Sequence, residues 1–244
     1  SDAPLQKLGM LAEELDVPIH MHVHETAQEV ADAVARDGRR PLQRLNELGL
    51  ITPRLLCVHA TQLLDAEMDL LQEQGASVIH CPESNLKLAS GFCEVAKLLG
   101  KSVNVALGTD GAASNNDLDL FSEMRTAALV AKAVADDASA VPAQQVLEMA
   151  TINGAKALGI EQLIGSIEIG KFADIAAVNL DELNTAPQNN PQSHLVYAAK
   201  SSQVSHVWCG GVAILEAGNL QTLDSALLHT TARSWRSKIA DSEQ

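Results

Sequence analysis

Four short segments constrain this chain more than anything else in it. PIHMHVHET (Pro18 to Thr26), LLCVHATQ around His59, VIHCPESNLKL around His80 and VALGTDGAASNN around Asp110 share one pattern. In each, an apolar run rich in β-branched residues stops at a side chain that can bind a metal or move a proton. Pro, Asn, Gly, Ser or Thr follows within a few residues. A parallel strand reads this way when it carries a functional group to the C-terminal rim of an α/β barrel, where such folds keep their chemistry. Four such deliveries in one chain are poorly explained by isolated interior histidines.

The segments between these strands carry helical patterns. A helix is expected from about Leu5 to Leu15, a polar helical region from Ala27 to Leu48, then the helices DAEMDLLQEQG and EVAKLLGK. Two more are expected at Asp117 to about Ala135 and at Pro142 to about Leu158, the latter with proline at its first turn. Strand and helix alternating at this tempo predict a parallel sheet with right-handed crossovers. The composition agrees: 46% of the 244 residues are apolar and only 2% aromatic, so the core must be Leu, Val, Ile and Ala. Aliphatic strands of this kind are suited to burial on both faces.

Near Gly159 the texture changes. IGSIEIGKFADIAAVNLD and VSHVWCGGVAILEAG read as short strands joined by glycine-bearing turns, an antiparallel appendage. NTAPQNNPQS between them reads as a polar loop, and Asp224 to Ser237 as a final helix. The expected organisation is therefore a partial (β/α) barrel over residues 1–158, followed by a β domain and C-terminal helix over 159–244. A complete TIM-like (β/α)8 barrel has eight strands and usually about 250 residues. Only four or five βα units precede the appendage, so the expectation is the C-terminal part of such a barrel, with further strands upstream.

Charge and cysteines narrow the setting. The formal net charge of −14 argues against nucleic acid or an anionic membrane surface as partner. The four cysteines, Cys57, Cys81, Cys93 and Cys209, make no Cys-x-x-Cys pair and no disulfide framework, which favours a reduced compartment. No apolar stretch approaches the ~20 residues that span a bilayer, and no signal sequence opens the chain. A cytoplasmic location is expected.

His20, His22 and His24 contain a His-x-His pattern that could hold a metal from one strand face, since alternate residues share a face. Only one βα unit separates His22 from His59, however. HMHVH is therefore read as a later strand with His22 or His24 at the rim and His20 packed deeper, and a first-strand metal pair as absent from this chain.

The segments HVHET, CVHATQL, HCPESNLKL, GTDGAASNNDLDLFSEMRTAALVAK, ATINGAKALG and IGSIEIGKFADI together resemble the amidohydrolase superfamily. Within it they are most similar to the 5-methylthioadenosine/S-adenosylhomocysteine deaminases of the chlorohydrolase and guanine-deaminase branch. The resemblance runs over essentially the whole chain and corresponds to the C-terminal part of such a protein. It implies a metal-dependent hydrolase with Zn, or another divalent metal such as Fe or Mn. His59, from strand five, is implied as a metal ligand. Asp110, from strand eight, is implied as metal ligand and proton acceptor, and His80, from strand six, as the group that orients the attacking water. His22 is implied as a substrate contact, and the LKLA stretch as a degenerate seventh strand. A purine nucleoside is the implied small-molecule partner, and the branch implies a homodimer.

The chemistry accounts for these residue types. A divalent metal lowers the pKa of bound water from 15.7 to about 7. A carboxylate beside it can take up a proton and pass it to departing ammonia, while a histidine in hydrogen-bond reach stabilises developing charge. One position departs from related deaminases, which place Glu three residues after the strand-five histidine. Here it is Gln62, which can donate a hydrogen bond but cannot deliver a proton, and which fits a substrate contact in the adenosine-type branch. Glu83 is a weaker stand-in for the acid. Ser114 and Asn85 are small and polar enough to line a pocket, although ending strands and capping the next helix explains them equally well. His194, His206 and His229 read as ordinary loop or surface residues. Two other functions stay open: a guanine, 8-oxopurine or triazine hydrolase, and an inactive fragment or assembly subunit.

Overall fold

The structure, a computed structural model, describes residues 2–242. After helix α1 (Asp2–Leu15) the strands β1 (Ile19–Val23), β2 (Leu55–His59), β3 (Ser77–His80) and β4 (Asn104–Leu107) form one parallel sheet in chain order. Register explains the apolar pattern. Ile19 pairs with Leu55, Cys57 with Val78, and Val78 with Val105, so these side chains share one face. That face packs on Leu42, Leu45, Met68, Leu71, Leu98, Val146 and Met149 from the crossover and later helices, in one continuous core. Full burial of a Leu or Val contributes roughly 1.5–3 kcal/mol, and this cluster is the main source of stability for the sheet.

The opposite face holds Leu56 and Ala106 in a small separate cluster with Ala157. His20 and His22, paired with Leu56 and Val58, point the same way and are exposed. The expectation that His20 packs inside the barrel is thus not met: among the described residues no apolar layer covers that face of β1.

The crossovers differ from the sequence reading in instructive ways. The polar stretch 27–48 forms two helices, α2 (Ala27–Asp37) and α3 (Pro41–Glu47), because Gly38 caps α2 at φ +71° and Pro41 restarts the chain at a first helical turn. Helix α4 (Asp65–Gln74) lies where expected. The LKLA stretch is no strand. Residues Pro82–Lys87 form helix α5, begun by Pro82, with Ser84 and Asn85 turned inward and Leu86 and Leu88 left exposed. A buried strand needs the reverse.

Helix α6 (Val95–Gly100) precedes β4. Helix α7 (Leu120–Ala135) starts three residues beyond Asp117 because the Asp119 carboxylate accepts from Phe121 N–H and serves as its cap. The expected helix 142–158 is broken at Thr151 into α8 (Ala143–Met149) and α9 (Ile152–Ala157). Tertiary bonds redirect the second piece: Asn153 Nδ2 donates to Val105 O at 3.0 Å, and Asn104 Nδ2 donates to Asn153 O at 3.1 Å.

The second sheet is an antiparallel meander of β5 (Ile175–Val178), β6 (Val204–Cys209), β7 (Val212–Glu216) and β8 (Asn219–Leu220). Of IGSIEIGKFADIAAVNLD only Ile175–Val178 is strand. The expected loop after Asn184 gives way to helix α10 (Pro191–Tyr197), which is capped by Asn190, buries Val196 and packs on α7 and α8. Helix α11 (Ser225–Ser242) runs five residues beyond the expected end at Ser237 and is exposed over 225–240. All four cysteines are free, Cys209 alone being exposed. Among the described residues no helix is long and apolar enough to cross a membrane.

Candidate active site

The rim residues share an unusual backbone. His24, His59, Ala60 and Asp110 have φ between +50° and +71°, a left-handed conformation that non-glycine residues adopt sparingly. The chain therefore turns sharply where each strand ends. Thr61 N–H and Gln62 N–H both donate to His24 O, at 3.0 and 3.2 Å, tying the end of β1 to the turn after β2.

His59 is fully buried. Its Nδ1 lies 2.8 Å from Asn85 Oδ1. A carboxamide oxygen only accepts, so Nδ1 carries the proton and Nε2 offers its lone pair. That Nε2 is buried with no hydrogen-bond partner among the described residues. It stands 3.8 Å from Glu25 Oε2, and the His22 ring meets the His59 ring edge-on with centroids 4.8 Å apart. An imidazole held through one nitrogen, with the other bare and buried, is the arrangement of a metal-ligating histidine. The residues present fit a divalent metal.

His80 is buried at the end of β3, with Nδ1 lacking a partner among the described residues. Burial, reinforced by nearby His59, pushes its pKa down to about 3, so it is neutral at pH 7. Asp110 is half-buried beyond β4. Its Oδ2 accepts from Ser84 Oγ at 2.8 Å and from Ser114 Oγ at 2.5 Å. Partial burial pushes its pKa up, but the two hydroxyls, the Gly111 backbone and nearby His59 together hold it below the usual carboxylate range.

Gln62 spends its amide N–H groups on Thr61 Oγ1 at 2.9 Å and Ser90 O at 3.2 Å. Gly91 permits this: a Cβ there would lie 2.5 Å from Gln62 Nε2. The Glu83 carboxylate accepts from Thr126 Oγ1 at 3.0 Å, toward α7. His24 takes a structural place. Its Nε2 accepts from Leu42 N–H at 3.1 Å, and its Nδ1 faces Glu67, which is also gripped in two places by Arg40. Arg40 holds the Gln62 carbonyl as well. Burial lowers the His24 pKa.

Two residues escaped the sequence reading. Glu25 directly follows the β1 rim turn, and its signal was there to see: a carboxylate next to a strand-end histidine. Glu123 gave no such signal. It lies on α7 and is fully buried, accepting from Asn115 Nδ2 at 2.5 Å and from Glu83 N–H at 3.2 Å. Burial pushes its carboxyl up to about 8. Three successive residues of α5 are thus each tied to a different element: Glu83 to Glu123, Ser84 to Asp110, and Asn85 to His59. His194, on α10, donates Nδ1–H to Asn190 O, His206 stacks on Trp208, and His229 is exposed on α11.

Comparison with known proteins places this arrangement. The family model described as the amidohydrolase family matches residues 1–214. A 5-methylthioadenosine/S-adenosylhomocysteine deaminase of Teredinibacter turnerae is 49% identical over 98% of this chain and 54% of that protein. The crystal structure of an adenosine deaminase from Xanthomonas campestris with bound zinc superposes with a TM-score of 0.98 at 55% identity, over 99% of this chain and 55% of that one. An atrazine chlorohydrolase from Arthrobacter aurescens, crystallised with zinc, gives a TM-score of 0.89 at 25% identity over 95% of this chain and 52% of its own. The chain spans about half the length of the relatives it matches. With the parallel sheet, the strand-end histidines and a match over most of its length, the chain belongs to the amidohydrolase family.

Proposed function

We propose that the protein is a metal-dependent aminohydrolase that deaminates an adenosine-like purine nucleoside, with 5-methylthioadenosine and S-adenosylhomocysteine as its substrates. The observation that carries this is the buried, unpartnered Nε2 of His59, fixed in tautomer by Asn85. His59 and Asp110 are the ligands this chain offers, and the first-strand pair expected of the family supplies the rest. When bound, the metal makes hydroxide available at neutral pH by lowering the pKa of water to about 7; zinc is the ion in the related deaminase structure.

The side chains divide the remaining work. Asp110, kept ionised by Ser84 and Ser114, accepts the proton of the nucleophile and returns it toward the leaving amine. Neutral His80 holds a hydrogen bond to the attacking oxygen. His22 and the Gln62 amide contact the nucleoside. Ser114 acts on substrate through Asp110, since that is where its hydroxyl points. Residues 1–158 form the partial barrel and 159–244 the β domain with its helix. A homodimer in a reduced, cytoplasmic compartment, with no nucleic-acid or membrane partner, completes the reading; the free cysteines support the compartment, and the charge of −14 supports the absence of nucleic-acid and anionic-membrane partners.

The test is ammonia release by the zinc-loaded full-length enzyme from adenosine analogues, guanine, 8-oxoguanine and chlorotriazines. Conversion of the two named nucleosides to inosine analogues is expected. Turnover of guanine or a triazine with every adenosine analogue refused overturns the substrate assignment.

A further inference from the structure

The two serines that hold Asp110 sit on separate segments, and one buried acid joins those segments. Ser84 Oγ reaches Asp110 Oδ2 from α5, and Ser114 Oγ reaches the same oxygen from the turn after β4. The chain neighbour of each serine is bound by Glu123. Glu83 N–H donates to Glu123 Oε2 at 3.2 Å, and Asn115 Nδ2 donates to Glu123 Oε1 at 2.5 Å. Each grip meets a local need. Cys81, the residue before α5, gives no side-chain cap, so a first-turn N–H of α5 needs an acceptor from elsewhere. Thr126 Oγ1, also on α7, holds the Glu83 carboxylate beside it. In the other segment Asn115 is buried, its backbone N–H donating to Gly111 O and its Oδ1 accepting from Leu118 N–H, both at 2.9 Å. Its remaining amide end is the one that Glu123 holds.

We propose that Glu123 is a positioning residue for the reaction: its one carboxyl group aims both serines at Asp110 and, through α5, sets Asn85 against His59. The fold of α7 does not ask for an acid here, since the helix's other buried residues are Met124, Ala127, Ala128 and Ala131. Burying a carboxyl among them costs stability that hydrogen bonds only offset. The bonds it makes run to the two segments that surround Asp110. With either arm lost, Ser84 or Ser114 is freed to turn away, and Asp110 can swing out of line with the substrate. Such a fault is expected in turnover more than in binding, because it misplaces the group that moves the proton and leaves His22 and Gln62 untouched. The inference rests on the reading of Asp110 as a working group of the deaminase site.

The experiment compares Glu123→Gln, the double variant Glu123→Gln with Asn115→Asp, and Met124→Ala. In the first, an amide nitrogen that cannot accept faces one of the two donors. In the second, that nitrogen can donate to the new carboxylate, so the bond returns with donor and acceptor exchanged. The third loosens the packing of the same helix in the core without touching either arm. Steady-state kinetics of the zinc-loaded full-length enzyme are measured on whichever substrate of the panel above the parent accepts. Glu123→Gln should lower kcat about 10- to 100-fold with KM within about threefold. The double variant should recover most of that loss, and Met124→Ala should lower the melting temperature with kcat close to the parent's. Glu123→Asp, which keeps the carboxyl but is too short to serve both donors, stands in if Glu123→Gln does not fold. A second reading needs no turnover: the Asp110 carboxyl carbon shift in the metal-free 244-residue chain at neutral pH. It should move in Glu123→Gln, return in the double variant and stay in place in Met124→Ala. A parent that turns over nothing on the panel sinks the deaminase reading, and the carbon shift then decides the role of Glu123 alone. An unchanged kcat or carbon shift in Glu123→Gln, or a loss that the double variant leaves unrepaired and Met124→Ala reproduces, overturns the proposal.

Discussion

Asn85 Oδ1 accepts the hydrogen bond that His59 Nδ1–H donates at 2.8 Å, and in doing so decides which ring nitrogen faces the rim. The sequence offered Asn85 as a pocket-lining residue or a strand terminator; its place is behind the His59 imidazole. Removing the amide in Asn85→Leu frees the ring to rotate and take the other tautomer. Metal affinity of the full-length enzyme is expected to fall about 10- to 100-fold, the range typical of lost outer partners. Equilibrium dialysis against a chelator measures it, and an unchanged affinity would remove Asn85 from the site.

Asp110 depends on two hydroxyls. Ser84 and Ser114 both donate to Oδ2, and their bonds oppose the rise that burial imposes. The double variant Ser84→Ala with Ser114→Ala should move the Asp110 carboxyl toward higher pKa. Carboxyl carbon shifts in an NMR titration of the chain report it directly, and in the enzyme the acid limb of the pH–rate profile should move to higher pH. A carboxyl that titrates where it does in the parent would mean that these bonds do not tune it.

What was legible in the sequence follows from what each signal encodes. Strand ends are local events, an apolar run and then a breaker, and His22, His59, His80 and Asp110 were found that way. The parallel order follows from strand and helix alternation. Properties that depend on tertiary partners were not legible. The resemblance implied a degenerate strand at LKLA, but Ser84 and Asn85 find Asp110 and His59, which turns the polar residues of a helix inward and leaves the leucines outside. The break at Thr151 depends on Asn153 reaching β4, and His20 is exposed because nothing among the described residues covers its face. A buried acid such as Glu123 is invisible to periodicity, since its helix reads as well with the carboxylate in water.

Glu123 ties α7 to the start of α5, and its raised pKa makes it a pH-sensitive strut. Between its ordinary value of 4.5 and about 8, the folded chain keeps a proton that the unfolded chain releases. Stability from this group therefore falls as pH rises through that window. Glu123→Gln should flatten the slope of melting temperature against pH between about 5 and 8. It should also lower stability by about 1–3 kcal/mol throughout, because one of the two accepting carboxyl oxygens becomes an amide nitrogen that cannot accept and faces a donor. Calorimetry at several pH values separates slope from level, and a slope as steep as the parent's would clear Glu123 of the role.

Gly91 is a site of close approach. Its φ of +131° is open to few other residues, and a Cβ would strike Gln62 Nε2 at 2.5 Å and Thr61 Oγ1 at 3.0 Å. Gly91→Ala should cost about 1–3 kcal/mol from backbone strain alone. At this size each kcal/mol lowers the melting temperature by roughly 2–4 °C. Displacement of Gln62 should also raise KM for the nucleoside in the full-length enzyme. A melting temperature and KM equal to the parent's would show that the pocket is softer than its geometry.

The left-handed turns at His24, His59 and Asp110 limit which replacements evolution can try at the rim. Valine, isoleucine and threonine are barred there by their branching, whereas asparagine enters that backbone region readily and glycine without penalty. Drift away from chemistry at these positions is therefore channelled toward Asn and Gly, and a relative that has abandoned catalysis should carry one of these at the rim while its sheet stays intact.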